Sequence, residues 1–202
     1  ERLNSDLANI LGNLVNRTIS MSNKYFDGVV RNAGVTEDVD ADLKAVVLDE
    51  VKKINDKMDQ LRVADAITEI FNIFRRCNKY IDETMPWALA KDEAKKDRLA
   101  TVLYNLVEAI TIGASLLEAF MPETSDKILS QLQTEKRELS AMDQFGLYPD
   151  GGKVTDKPEI LFARMDINEV MEKVEAMRAA EAPKEEKKEE PEEAVIDIEA
   201  KP

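Results

Sequence analysis

LATVLYNLVEAITIGASLLEAF, residues 99–120, is the most apolar stretch of this 202-residue chain. Its apolar side chains recur every three or four positions, which is the period of an α-helix with one buried face. The residues on that face are Leu99, Val102, Leu103, Leu106, Ile110, Gly113 and Leu117. Asn105 and Glu108 interrupt the run, so we do not expect it to span a bilayer. We predict a helix of a bundle, from about residue 92 to residue 120.

The same periodicity predicts helices on both sides of this stretch. The first begins near residue 3 and ends near YFDG (25–28), the second covers about 38–60, and the third covers about 63–81. Pro86 stops the third helix, because the residue before a proline is driven out of helical geometry. Pro122 ends the fourth helix, and Thr124 or Ser125 caps a fifth that carries Ile128, Leu129 and Leu132. With glycine and proline scarce and aromatics at 5%, we predict an all-α protein.

The helical period disappears after about residue 139. We expect an extended connector at about 140–165, with a turn at YPDGG (148–152). Asp166 and Glu169 then form a capping box for a last helix. Beyond residue 180 the Glu/Lys/Pro-rich sequence cannot bury enough apolar surface to fold. We therefore predict a helical bundle at 1–178, followed by a disordered linker at 179–202.

The residue inventory excludes several kinds of chemistry. The chain has one cysteine, Cys77, and no histidine, so disulfide frameworks, zinc clusters and histidine-based triads are excluded. Cys77 follows Phe74 at a helical interval and is expected to be a buried thiol rather than a nucleophile. The carboxylates are spread along charged helix faces. We predict no catalytic residue and no metal ligand.

The net charge of −13 is unevenly distributed. Residues 181–202 hold nine acids and four bases, whereas residues 1–36 hold three acids and four bases. Such an acidic chain is unlike a non-specific nucleic-acid binder, which depends on a basic surface to neutralise phosphates. A protein that reads a few exposed bases needs less positive charge.

Two features are candidates for a binding site. Trp87, the only tryptophan, directly follows Pro86 at a helix end, where an indole either packs into the core or presents a flat face. Asn9, Asn13 and Arg17 are four residues apart and form one polar stripe on the first helix. A solvated face is the simpler interpretation of the stripe. Asparagine is nevertheless a poor choice for an exposed helix position, because its amide competes with the backbone.

Four segments resemble the carboxy-terminal half of bacterial methionyl-tRNA synthetases. They are NILGNLVNRT (9–18), NKYFDG (23–28), YIDETMPW (80–87) and LFARMD (161–166). The resemblance covers residues 1 to about 178 in the family's order. It implies the anticodon-binding helical bundle of a class I aminoacyl-tRNA synthetase, the enzyme class that uses ATP to join an amino acid to its tRNA.

The resemblance also implies roles for individual residues. Asn9, Asn13 and Arg17 match a polar stripe that faces the CAU anticodon. Pro86 and Trp87 match the pair that supports and stacks on its first base, a cytosine, and Asp82 matches an acidic residue that repels wrong anticodons. The family's catalytic half would precede Glu1, so we expect no activity and no cofactor in this chain, while the parent enzyme would use ATP and Mg²⁺.

The expected partners are a methionine-accepting tRNA, the upstream catalytic domain and a downstream tRNA-binding and dimerising module. We expect a cytoplasmic location and no membrane. Two alternatives remain open: a helical protein-interaction module, and the anticodon domain of a sister class I synthetase, such as those for leucine, isoleucine, valine or cysteine.

Overall fold

The computed structural model describes residues 3–163 and positions 171, 174 and 177. Helices dominate the described part, so the predicted all-α class is confirmed. The chain divides into two units, Glu1–Arg164 and Met165–Pro202. The α-helices of the first unit are α1 (Asn13–Phe26), α2 (Asp38–Asp59), α3 (Val63–Thr84), α4 (Pro86–Leu89), α5 (Lys96–Leu117) and α6 (Pro122–Gln131).

The first predicted helix contains a change of winding. Leu3–Gly12 is wound as a π-helix, and α1 continues it without a break in the helical direction at Gly12, which keeps helical dihedrals. The helix ends as predicted, because Asp27 and Gly28 both take left-handed backbone angles with φ of 53° and 80°. A π-helix has more residues per turn than an α-helix. The side chains before Asn13 therefore point in directions around the helix axis that the α-helical period does not predict.

α2 and α3 lie side by side and meet α5 through a buried polar network. Asp40, in the first turn of α2, forms a capping box with Glu37 and accepts two hydrogen bonds from Arg98 of α5, at 2.9 and 3.0 Å. The Tyr80 hydroxyl of α3 donates to the same carboxylate. Arg98 and Asp40 are both buried, so each charge depends on the other for compensation. The network fixes the relative positions of three helices.

α5 is the core helix that its sequence predicts. From Arg98 to Leu117 every residue except Asn105 is buried. Gly113 lets α3 approach closely, since a Cβ there would lie 2.6 Å from Phe74 Cε1. By length and composition alone Glu93–Leu117 would qualify to cross a membrane, but 94% of its 18-residue apolar window is buried inside the protein. The neighbouring helices therefore cover it.

The prediction for the start of α6 was wrong. Pro122 does not end the preceding helix, because α5 already ends at Leu117; it is the first residue of α6, where its missing N–H costs nothing. The cap therefore falls on Met121 rather than on Thr124 or Ser125. Ser125 is buried, and its hydroxyl donates to the Ala114 carbonyl of α5 at 2.7 Å. That bond joins α6 to α5.

The described residues after α6 contain one 3₁₀ turn at Leu139–Ala141 and a strand that periodicity did not reveal. We call residues 133–163 the connector. β2 (Gly152–Lys153) pairs antiparallel with β1 (Val29–Val30), so the connector returns to the end of α1. Asn23 of α1 reinforces the return, because its amide donates to the carbonyls of Thr155 and Asp156 at 2.8 and 3.1 Å. Two-residue strands are too short for an alternating pattern to show.

Two buried tyrosines hold the connector and predict how stability depends on pH. The Tyr104 hydroxyl donates to the Tyr148 carbonyl at 2.8 Å, and the Tyr148 hydroxyl donates to the Leu132 carbonyl at 2.9 Å. Burial raises the pKa of both from an ordinary value of 10.0 to about 12. The unfolded chain therefore loses these protons first, and the free energy of unfolding is expected to fall as pH rises from about 10 to about 12.

Urea unfolding followed by circular dichroism between pH 9 and pH 12 measures this loss. Tyr104→Phe removes one titrating hydroxyl and should make the decline per pH unit shallower, although the variant starts from a lower stability at pH 8 because its hydrogen bond is gone. An identical decline in the variant would contradict the assignment.

The second unit is described at three positions only. Met171, Val174 and Met177, three residues apart, are helical. The predicted capping box at Asp166 and Glu169 and the predicted linker at 179–202 lie outside the described residues.

Candidate nucleic-acid interface

Trp87 lies on the surface, held there by the local backbone. α3 continues to Thr84, three residues beyond the predicted end, and Met85 then takes a left-handed conformation with φ of 45°. Pro86 is buried and starts the one-turn helix α4, so the chain turns sharply between α3 and Trp87. The indole is 42% exposed. An indole in this position offers a flat apolar face to a planar ligand.

Arg17 meets the indole from a different helix. Its guanidinium carbon lies 6.0 Å from the centre of the Trp87 ring, at the outer limit of a cation–π contact. The two residues are 70 positions apart in sequence, so the tertiary fold brings them together. A guanidinium beside an exposed indole can donate hydrogen bonds to a base edge or a phosphate while the ring stacks on the base. We call this pair the platform.

Asn9 and Asn13 line a groove beside the platform. The groove has a volume of about 420 Å³, and its other wall is the connector segment 160–163. Asn16 also lines it, although the sequence did not single this residue out. The predicted single stripe is therefore divided: Arg17 contacts the Trp87 indole, and Asn9 and Asn13 face the groove.

A second polar stripe on α1 includes Asn16, the groove residue that the sequence did not single out. Asn13, Asn16, Ser20 and Asn23 are spaced three and four residues apart and so share one side of α1. The Asn16 side-chain oxygen accepts from Ser20 at 3.2 Å, and Asn23 holds the connector. The spacing was visible in the sequence. The connector that this stripe faces could not be predicted, because it lies more than 130 residues away in sequence.

Asp82 is exposed in the last turn of α3, five positions before Trp87. The neighbouring carboxylate of Glu83 is neutralised by Arg76 at 2.9 Å and Lys79 at 3.4 Å. Asp82, in contrast, forms no ion pair with any residue that the structure describes. An unpaired negative charge on an exposed surface disfavours the approach of anionic and acceptor groups.

Glu108 anchors the connector that forms one wall of the groove. Its carboxylate is fully buried in α5 and accepts two hydrogen bonds from Arg137, at 2.9 and 3.0 Å. It also accepts from the backbone N–H groups of Gly146 and Tyr148, at 2.9 and 2.7 Å. The sequence signal for this role was a carboxylate in the middle of an otherwise apolar helix face, which we had used only to argue against a membrane span.

Two observations concern reactive and metal-binding side chains among the described residues. Cys77 is buried as predicted, and burial raises the pKa of its thiol to about 12, so the reactive thiolate is scarce at neutral pH. Within residues 3–163 no group of three or more histidine, cysteine, aspartate or glutamate side chains is arranged to hold a metal ion. The arrangement is suited to recognition by stacking and hydrogen bonding.

Comparison with known proteins identifies the family. A family model described as the anticodon binding domain of methionyl tRNA ligase matches residues 30–182, a span that includes Asp82, Pro86 and Trp87 but not the stripe on α1. The methionine–tRNA ligase of Caldanaerobacter subterraneus subsp. tengcongensis is 46% identical over 175 residues, which is 86% of this chain and 27% of that relative. The Clostridium acetobutylicum methionine–tRNA ligase is 42% identical over 178 residues, 88% of this chain and 28% of the relative.

The solved structures agree with this match. The crystal structure of free Mycobacterium tuberculosis methionyl-tRNA synthetase superimposes with a TM-score of 0.75 and 34% identity, covering 82% of this chain and 34% of that chain. The fold and these matches together define a helical anticodon-binding domain of the class I aminoacyl-tRNA synthetases. The chain belongs to the family of anticodon-binding domains of methionyl-tRNA ligase, and it spans little more than a quarter of the length of the curated relatives it matches.

Proposed function

We propose that the platform and the groove bind the CAU anticodon loop of a methionine-accepting tRNA, with the first base, cytosine, stacked on Trp87. The observation that carries the proposal is the exposed indole with the Arg17 guanidinium 6.0 Å from its ring centre, supplied by two separate helices. Single-stranded RNA is read by aromatic stacking together with hydrogen bonds to base edges, and this pair offers both.

The charge of the chain fits reading of bases better than attraction to phosphates. A net charge of −13 repels a polyanion at long range, so affinity has to come from short-range contacts with unstacked bases. Asn9 and Asn13 each offer a donor and an acceptor to such bases. Asp82 adds repulsion against loops that do not fit. Selectivity would arise because a wrong base leaves these polar groups unpaired.

In the parent enzyme this binding would contribute to charging the correct tRNA. A catalytic domain that uses ATP and Mg²⁺ would join methionine to the acceptor end, and anticodon binding would position that end at the distant active site. A downstream tRNA-binding and dimerising module and a cytoplasmic location complete the proposal. The chain itself would contribute recognition and no bond chemistry.

Titration of the chain with fluorescently labelled anticodon stem-loops tests the proposal. We expect a stem-loop with CAU to bind at least tenfold more tightly than one whose first anticodon base is changed to uracil, because the altered base lacks the amino group that cytosine presents. A helical protein-interaction module would bind neither with preference. The domain of a sister synthetase would instead prefer another tRNA when purified tRNAs compete, and that result would overturn the assignment to methionine.

A further inference from the structure

A second groove lies at the opposite end of α3 from Trp87, and apolar side chains form much of its wall. They come from the ends of α2 and α5 and from the connector: Ile54, Met58, Leu116, Phe120, Leu139 and Met142. The groove has a volume of about 680 Å³, against about 420 Å³ for the groove beside the platform. Leu139 is 81% exposed, so the described residues leave this wall uncovered. Exposed apolar side chains beside a groove of this size mark surfaces that bind other molecules.

The rim of the second groove carries more negative than positive charge. It continues into a depression of about 550 Å³ where Lys136 is the one basic residue among the described residues that line it, beside four acids: Glu118, Asp126, Glu135 and Glu138. Glu118 pairs with Lys136 at 2.8 Å, and this contact, with the charges of Glu138 and Asp126, raises the pKa of Lys136. The carboxylates thus hold one ammonium group and retain an excess of negative charge. Further cations are attracted to this rim.

We propose that the second groove and its acidic rim form a docking surface for a basic amphipathic helix of another protein. Such a helix places apolar side chains on one face at intervals of three and four residues, and these would fill the groove. Its lysine and arginine side chains would meet the carboxylates of the rim. Arg137 does not oppose them, because its guanidinium is only 8% exposed and is bound by Glu108.

Charge selects this occupant over others. RNA is a polyanion and would be repelled by the carboxylates of the rim. A second copy of this chain brings a net charge of −13 and would be repelled as well. An uncharged apolar segment would leave the acidic rim without a counter-charge. A helix with one apolar face and one basic face matches both parts of the surface.

Docking at the second groove is compatible with anticodon binding. α2 ends at Asp59 and α3 begins at Val63, so the groove lies at the amino end of α3, whereas Trp87 follows its carboxyl end. The 22 residues of α3 span about 33 Å. No described residue lines both this groove and the one beside the platform. The docking surface therefore does not depend on the proposed function, and the chain could hold tRNA and a protein partner together.

Titration with a designed peptide tests the proposal. The probe is a helix-forming peptide of about 14 leucine and lysine residues, roughly 21 Å long, in which the leucines share one face. We expect the chain to bind it about tenfold more tightly than an isomer of the same composition whose leucines are scattered around the helix. An analogue with glutamate in place of lysine should not bind. Fluorescence anisotropy of the labelled peptides gives the three affinities.

Leu139→Glu locates the binding site, because it places a charge in the apolar wall at a position exposed enough to leave the fold intact. It should weaken binding of the peptide by about tenfold. Leu61→Glu is the matched control, since Leu61 is 86% exposed in the turn between α2 and α3 and does not line the groove. Each variant adds one negative charge, which by itself attracts the basic peptide. A loss confined to Leu139→Glu therefore reports on the apolar contact.

Glu135→Gln/Glu138→Gln tests the acidic rim. This double variant should bind the peptide about threefold to tenfold more weakly in low salt, and its affinity should depend less on salt concentration than that of the wild-type chain. Equal affinity for both peptide isomers, or equal binding by Leu139→Glu and Leu61→Glu, would overturn the docking surface. Sedimentation of the chain alone tests another occupant: self-association that Leu139→Glu abolishes would assign the groove to a second copy and overturn the basic partner.

Discussion

Glu108→Ala is expected to lower the free energy of unfolding by about 3–5 kcal/mol, the cost typical of removing one partner from a buried ion pair. The substitution leaves the Arg137 guanidinium, which is only 8% exposed, without its carboxylate. It also leaves the N–H groups of Gly146 and Tyr148 without their acceptor. Since a single domain is commonly stable by only about 5–15 kcal/mol, the variant should be close to unfolding. Urea unfolding monitored by circular dichroism measures the difference.

Two control variants distinguish the stability cost of losing the buried Glu108 cluster from the cost of removing any negative charge. Glu118→Gln breaks the exposed pair between Glu118, directly after α5, and Lys136, in the segment after α6, and should cost about 1 kcal/mol or less. The double variant Glu108→Leu/Arg137→Met replaces the buried pair with apolar side chains and leaves no unpaired buried charge. It should therefore lose less stability than Glu108→Ala alone. A cost for Glu108→Ala no larger than that for Glu118→Gln would refute the anchoring role.

Trp87→Ala is expected to weaken binding of a CAU stem-loop by about 5- to 150-fold, equivalent to about 1–3 kcal/mol for one stacked base. The same substitution should change the free energy of unfolding by less than about 1 kcal/mol, because the indole is 42% exposed and Pro86 supplies the buried contact at this position. Fluorescence anisotropy of the labelled stem-loop gives the affinity, and circular dichroism gives the stability.

Trp87→Phe tests whether stacking is the cause. A phenyl ring retains an aromatic face of smaller area, so this variant should recover most of the affinity that alanine loses. Phe74→Ala, a substitution in the core next to Gly113, provides the opposite pattern: a cost of about 3–5 kcal/mol in stability without a selective effect on the first base. If Trp87→Ala resembled Phe74→Ala in its loss of stability, the indole would be a core residue and the platform would not exist.

The platform and the groove are held in place by different parts of the fold. The platform depends on α1 and on the short helix α4, whose position is set by the left-handed residue Met85 and by buried Pro86. The groove depends on α1 and on a connector held by side-chain hydrogen bonds from Glu108 and Asn23. A substitution in the connector anchor should therefore affect the groove more than the platform. Glu108 does not line the groove itself, but it holds the connector from which one wall of the groove is built.

The helices themselves followed from local sequence. The predicted second helix at 38–60 is observed at Asp38–Asp59, whereas the sequence left open whether the Trp87 indole is buried or exposed. The buried state of Cys77 followed from its place on an apolar helix face. The error at α6 was also local, because a proline ends one helix and begins another equally well, and only the observed angles distinguish the two.

Sequence alone thus determined where the long helices run and which of their faces are apolar, because both depend on residues within a turn or two of one another. Tertiary structure alone decided that β1 pairs with β2, that Glu108 holds residues 146–148, and that Asn16 faces the segment 160–163. Each of these contacts joins positions about 40 or more residues apart. Their partners are selected by the packing of the whole bundle, which no local period encodes.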